Sequence, residues 1–208
     1  MITVPGLGRD AGTPDVVRVR VTASAQRPTA AEALAAAEAT AAVVRGALER
    51  HGVRGAAAAS GVFSLAAEQT WNDPGGPRIT GYRCDHEIRV VLRDVPAVGG
   101  VLADVLAAGG DGVRVDGVEP ALEDDAGARV RARELAWADA LDRATRLAAL
   151  AGRELGAVSA VVEDGADAGG PLAPVAAGRQ ALLAKSDVSL QPGEVDVAVS
   201  LTVRWELS

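Results

Sequence analysis

From Asp15 onward, apolar residues fall on every second position. Val17, Val19, Val21, Ala23 and Ala25 share one parity, and Arg18, Arg20, Thr22 and Ser24 share the other. A period of two predicts a strand with one buried face. The spacing then lengthens to three and four. Leu34, Ala37, Ala41, Val44 and Leu48 predict one stripe of a helix. Thr29 with Glu32 forms a capping box at its start, and Gly52 is placed to end it. Residues 61–69 predict a second strand with Phe63, Leu65 and Ala67 on one side, and the turn formers of 71–78 predict a loop.

Residues 79–94, ITGYRCDHEIRVVLRD, return to period two. Tyr82, Cys84, His86, Ile88, Val90 and Leu92 share the inward side of a long strand. Arg83, Asp85, Glu87, Arg89 and Arg93 share the other side, as a charged row suited to cross-strand pairing. Asp94 is a capping residue for a helix with the stripe Val98, Val101, Leu102 and Val105, ended by Gly109 and Gly110. Residues 112–120 predict another strand. The longest helix is predicted over 124–151, with the ridge Ala132, Ala136, Ala140, Ala144, Leu147 and Ala151. A ridge of alanines lets a helix lie close to its neighbour. Residues 157–162 predict a short strand, and the alternation from Val195 to Leu207 predicts the last. The irregular segment 163–193 is too long for an ordinary connection and reads as a mobile loop, a partner-binding arm or an insertion. Gly6-Leu7-Gly8 reads as a turn or bulge, because no helix follows to receive a phosphate.

The predicted order from Asp15 is β-α-β-β-α-β-α-β-β, with a ferredoxin-like first half. One-sided strands and one-striped helices imply an α+β fold: an antiparallel-rich sheet with helices packed on one face. No linker divides the chain, so 1–208 reads as a single domain.

Composition narrows the function classes. The net charge is −7, Lys185 is the single lysine, and the arginines are interleaved with acids. Phosphate-backbone binding needs clustered cations, and base stacking needs aromatics, so nucleic acid is not an expected partner. One cysteine cannot form an internal disulfide. The start, MITVPGLGRDAG, reads as neither a secretion signal nor an anchor, and no apolar run is long enough to span a membrane. The expectation is a soluble cytoplasmic protein without membrane insertion.

Four phrases carry a family resemblance. They are ITVPGLGR followed by PDVVRVRV; ITGYRCDHEIRVVLRDVPAVGGVLADVLAAGGDGV; ARVRARELAWADALDRATRLAALAGRELGAV; and QPGEVDVAVSLTVRWEL. Together, and in this order, they resemble the SIMPL domain family over almost the whole chain. The resemblance implies an α+β fold and a tendency to oligomerise. Relatives are often exported, some form ring- or channel-like assemblies, and others are connected to oxidative-stress defence or signalling. It implies no catalytic residue set.

The residues themselves offer little chemistry. Cys84 and His86 are a candidate redox pair on one strand face, but no resolving cysteine exists, and an apolar-face cysteine is usually core. A metal site would need ligands beyond Cys84, His86 and the isolated His51. Glu123, Asp124 and Asp125 suit a helix start, and no Ser-His-Asp set can be assembled from two histidines. Trp71 and Trp137 are candidate interface residues. The reading is therefore a non-enzymatic protein that self-assembles or binds a protein partner, with no cofactor, no metal and no catalytic residue, and with a link to stress response. A thiol-based redox sensor or enzyme using Cys84, and a small-ligand carrier with a pocket under the alanine-rich helix, stand beside it.

Overall fold

The computed structural model describes residues 1–71, 76–163 and 193–208. The chain is α+β, and among the described residues its strands divide between two antiparallel sheets rather than entering one. Among the described residues, the domain read over 1–208 is built of two compact units, one holding residues 15–71 and 76–121, the other 1–14, 122–163 and 193–208.

The first unit contains β2 (Val16–Arg27), α1 (Ala30–Arg50), β3 (Ala58–Thr70), β4 (Arg78–Leu92), α2 (Val98–Gly109) and β5 (Val113–Ala121). Its strand order is β3-β4-β2-β5. This is the split β-α-β arrangement that the element order predicts. Val17, Val19, Val21 and Ala23 of β2 and Ile88, Val90 and Leu92 of β4 are buried with Val44 and Leu48 of α1 and Val98, Val101 and Val105 of α2. Each such valine or leucine contributes about 2 kcal/mol by leaving water. The Thr29–Glu32 capping box is formed, and Gly52 follows the helix with a positive φ of 74°. Asp94 caps a short 3-10 turn that leads into α2. The stripe of α1 differs by one position from the expected one. Ala33 is buried and Leu34 is exposed, because the alanine is what fits against the sheet.

The second unit contains β1 (Ile2–Gly12), α3 (Ala126–Leu150), β6 (Leu155–Glu163) and β7 (Val195–Leu207), with strand order β1-β7-β6. The glycine-rich start is neither a turn nor a bulge. It is a continuous strand, paired with β7 from Ile2↔Trp205 to Gly12↔Val195. α3 packs on this sheet through Ala128, Ala132, Ala136, Ala140, Ala144 and Ala148, all buried. The ridge therefore runs on in steps of four to Ala148, while Leu147 is exposed. Gly6 and Gly8 lie beneath that ridge. A Cβ on Gly8 would stand 1.9 Å from the Ala132 carbonyl oxygen, and one on Gly6 would stand 2.1 Å from that of Ala136. The glycines serve contact between helix and strand, not chain reversal. Segment 163–193 lies, apart from its end residues Glu163 and Gly193, outside the described residues.

Candidate functional site

Cys84 and His86 both point from β4 to the helix-covered side of their sheet, as the alternation predicts. Their surroundings differ. Cys84 is fully buried, packed with Ala25, Ala33 and Ala37. Burial pushes its thiol pKa up, and the charges of Asp85 and Glu38 act in the same direction. A raised pKa and a sealed position are the opposite of what a reactive thiolate needs. In the folded protein Cys84 should react with a thiol reagent at neutral pH only as fast as the chain unfolds. Stoichiometric labelling within seconds under native conditions would contradict this.

His86 is 7% exposed and fully engaged. Its Nδ1 stands 2.8 Å from Oε1 of Glu38, and its Nε2 stands 3.2 Å from Oγ of Ser60 and 3.2 Å from Nη2 of Arg45. The same Arg45 nitrogen is 2.9 Å from Ser60 Oγ. A guanidinium only donates and a carboxylate only accepts. Nδ1 therefore carries the ring proton and donates it to Glu38, while the Nε2 lone pair faces Arg45 and the serine hydroxyl. The Phe63 ring meets the imidazole edge-on at 6.0 Å. Glu38 and Arg45 are seven residues apart on α1, hence on one face, and border its buried stripe. Ser60, His86 and Glu38 are thus brought within hydrogen-bond distance, a grouping that the sequence pattern does not single out.

A β-bulge brings Ser60 there. Ser60 pairs with Ile88 and Phe63 with His86, so Gly61 and Val62 together oppose Glu87 alone. Strict alternation would put Ser60 on the side opposite Phe63, Leu65 and Ala67. The extra residue returns it to their side.

The other sheet face of this unit is polar. Thr22, Ser64, Asp85, Glu87, Arg20 and Arg114 help to line a shallow concavity of about 260 Å³. Burial works against the charge of Asp116, but hydrogen bonds from Arg114 and Thr22 outweigh it and hold its pKa below the usual carboxylate value. Among the described residues no group of three or more His, Cys, Asp or Glu is placed to hold a metal ion. His51 is paired with Asp104 of α2 at 2.8 Å.

The two tryptophans fall in different settings. Trp71 follows β3 directly and is 76% exposed. Trp137 on α3 is 37% exposed, with its ring 6.2 Å from that of the buried Trp205. It lines a groove of about 510 Å³ beside β6, with Val161 and Leu201 as the apolar floor. At the rim Glu163 accepts two hydrogen bonds from Arg133, at 2.8 and 2.9 Å. These bonds hold the Glu163 pKa below its usual value. Directly under the alanine ridge, where a ligand pocket was one expectation, α3 instead touches backbone of β1.

Among the described residues no helix is long and apolar enough to cross a membrane. No curated protein matches the chain. A family profile matches residues 2–205, essentially its whole length, and the chain therefore belongs to the SIMPL family, described as a protein of unknown function (DUF541).

Proposed function

We propose that the chain acts by self-assembly, or by binding a protein partner, rather than by turning over a substrate. The observation that carries this reading is the β6 edge. Among the described residues β6 pairs with β7 on one side only. Its Val158, Val161 and Val162 are exposed, and the partly exposed Trp137 of α3 lines the same groove as Val161. An apolar edge strand next to an open groove is a template for another strand unless something covers it. The Arg133–Glu163 pair at the rim supplies polar register marks, and an aromatic residue in a partly apolar groove is the usual energetic centre of an interface. A second copy of the same edge satisfies these features through an antiparallel β6–β6 contact with two-fold symmetry. A role in stress defence or signalling, as the family resemblance implies, would be exercised through such contacts.

Light scattering on the purified chain tests this. The expected mass is a multiple of 21.0 kDa. Val161→Lys should weaken association at least about 30-fold, the effect of losing a central contact. A strict 21.0 kDa monomer at high concentration would remove the proposal.

A further inference from the structure

The geometry points to Ser60 as a nucleophile activated by His86 and Glu38, a site on the chain for covalent transfer from an activated acyl donor such as an aryl ester or thioester. The argument rests on direction as well as distance. Glu38 fixes the imidazole as the Nδ1–H tautomer at 2.8 Å, which turns the Nε2 lone pair toward the Ser60 hydroxyl and the Arg45 guanidinium, each 3.2 Å away. This is the relative placement of nucleophile, base and orienting acid that acyl transfer requires. Four features go beyond a simple structural hydrogen bond. Ser60 is an exposed residue while His86 is buried, so a donor meets Ser60 from solvent but water has little access to the base. The bulge at Gly61-Val62 is a local device for aiming a side chain, and it is what turns Ser60 toward His86. Arg45 places a permanent positive charge 2.9 Å from Oγ. That charge lies next to where the carbonyl oxygen of an attacked donor becomes negative. The half-exposed Phe63 ring at the imidazole edge offers an apolar wall for the acyl or aryl group.

In the step itself, Oγ attacks the carbonyl carbon and its proton passes to Nε2. The Oγ–C bond forms, the bond from carbon to the leaving oxygen or sulfur breaks, and the departing group takes the proton from Nε2. No oxidant or reductant is involved. The product is one ester on Ser60 and one released alcohol or thiol. This is a stoichiometric modification and is independent of whether the chain assembles.

The test uses p-nitrophenyl acetate with the full chain, reading the nitrophenolate burst and mapping the acetyl group by peptide mass spectrometry. The expected result is one equivalent released per chain, with the label on Ser60. Ser60→Ala should abolish the burst, while Ser64→Ala, on the polar face of the same strand, should leave it intact. His86→Gln should slow acylation about 100-fold, the size of a positioned base. Circular dichroism of each variant separates this from misfolding. If His86→Gln does not fold, Arg45→Gln replaces it, with a slower burst expected from loss of the charge beside Oγ. Acetylation of Ser60 no faster than of the exposed Ser159, or a rate unchanged in the folded variant, would overturn the assignment.

Discussion

Gly8→Ala should destabilise the protein by about 3 kcal/mol, at the upper end of the usual range for overpacking. A single methyl group has this effect because of what it would meet. Its nearest neighbours would be the Ala132 carbonyl oxygen at 1.9 Å, the Ala136 nitrogen at 2.4 Å and the Ala132 carbonyl carbon at 2.9 Å. All three are helix backbone, which cannot rotate away as a side-chain tip can. The whole of α3 must lift, and the contacts of the ridge from Ala128 to Ala148 loosen with it. Gly6→Ala should act likewise, since its methyl would meet the Ala136 carbonyl oxygen at 2.1 Å and the Ala140 Cβ at 2.6 Å. Gly46→Ala provides a control of opposite sign. It lies inside α1 with nothing within 4 Å of the added carbon. It should stabilise by about 0.5–1 kcal/mol through helix propensity. Urea unfolding at equilibrium reads all three. A neutral Gly8→Ala would mean that α3 does not rest on the β1 backbone.

The same glycines explain where sequence reading succeeds and where it stops. Strands β4 and β7 are legible because mainly apolar residues recur on one parity, from Tyr82 to Leu92 and from Val195 to Leu207, with polar or charged residues at most positions between. β1 is not legible, since Pro5, Gly6, Gly8 and Gly12 are the residues that elsewhere mark turns. What decides their role is a helix more than a hundred residues away in the chain, and no local pattern reports it. The division into two sheets is hidden for the same reason: it depends on β1 pairing with β7. The helices show a subtler limit. In α1 and α3 alanine occupies so many positions that hydrophobicity alone leaves the phase of the stripe open. Leucines at 34 and 147 were the natural choices for the core, yet the smaller Ala33 and Ala148 are the ones that fit.

The site follows this division too. That Cys84 and His86 share a face was readable from their spacing, and so was the core character of Cys84. The partners of His86 were not. Glu38 and Arg45 sit at the margin of a helical stripe, where charged residues are ordinary. Ser60 lies on the wrong parity until the bulge is known. A polar residue at a stripe margin and a Gly-Val pair interrupting strand alternation were the available signals, and neither is specific by itself.

Trp205→Ala should be the most damaging truncation in the second unit, at about 4 kcal/mol. Trp205 is 2% exposed and heads the fully buried side chains by volume. Its position complements the glycines at the other end of the contact. Along β1 the residues under α3 grow from Gly8 and Gly6 to Val4 and Ile2, and Ile2 pairs with Trp205. Where the strand offers no side chain, the helix backbone rests on it; where the facing residues are large, the space is filled by the indole together with Val4, Ala144 and Val203. Removing the indole leaves a cavity that the backbone contact at Gly8 prevents the helix from closing, so the cost should stay near the upper part of the range for aromatic truncation. Trp205→Phe keeps most of the buried area and should recover more than half of the loss. The ring of Trp137, 6.2 Å away, gives a local readout, since its fluorescence should shift to the red in the alanine variant as the groove beside β6 opens to water. A Trp205→Ala protein with the unfolding midpoint of the parent would show that α3 can settle onto the sheet after all, and would remove the opposition between glycine contact and indole filler on which the packing of this unit is argued.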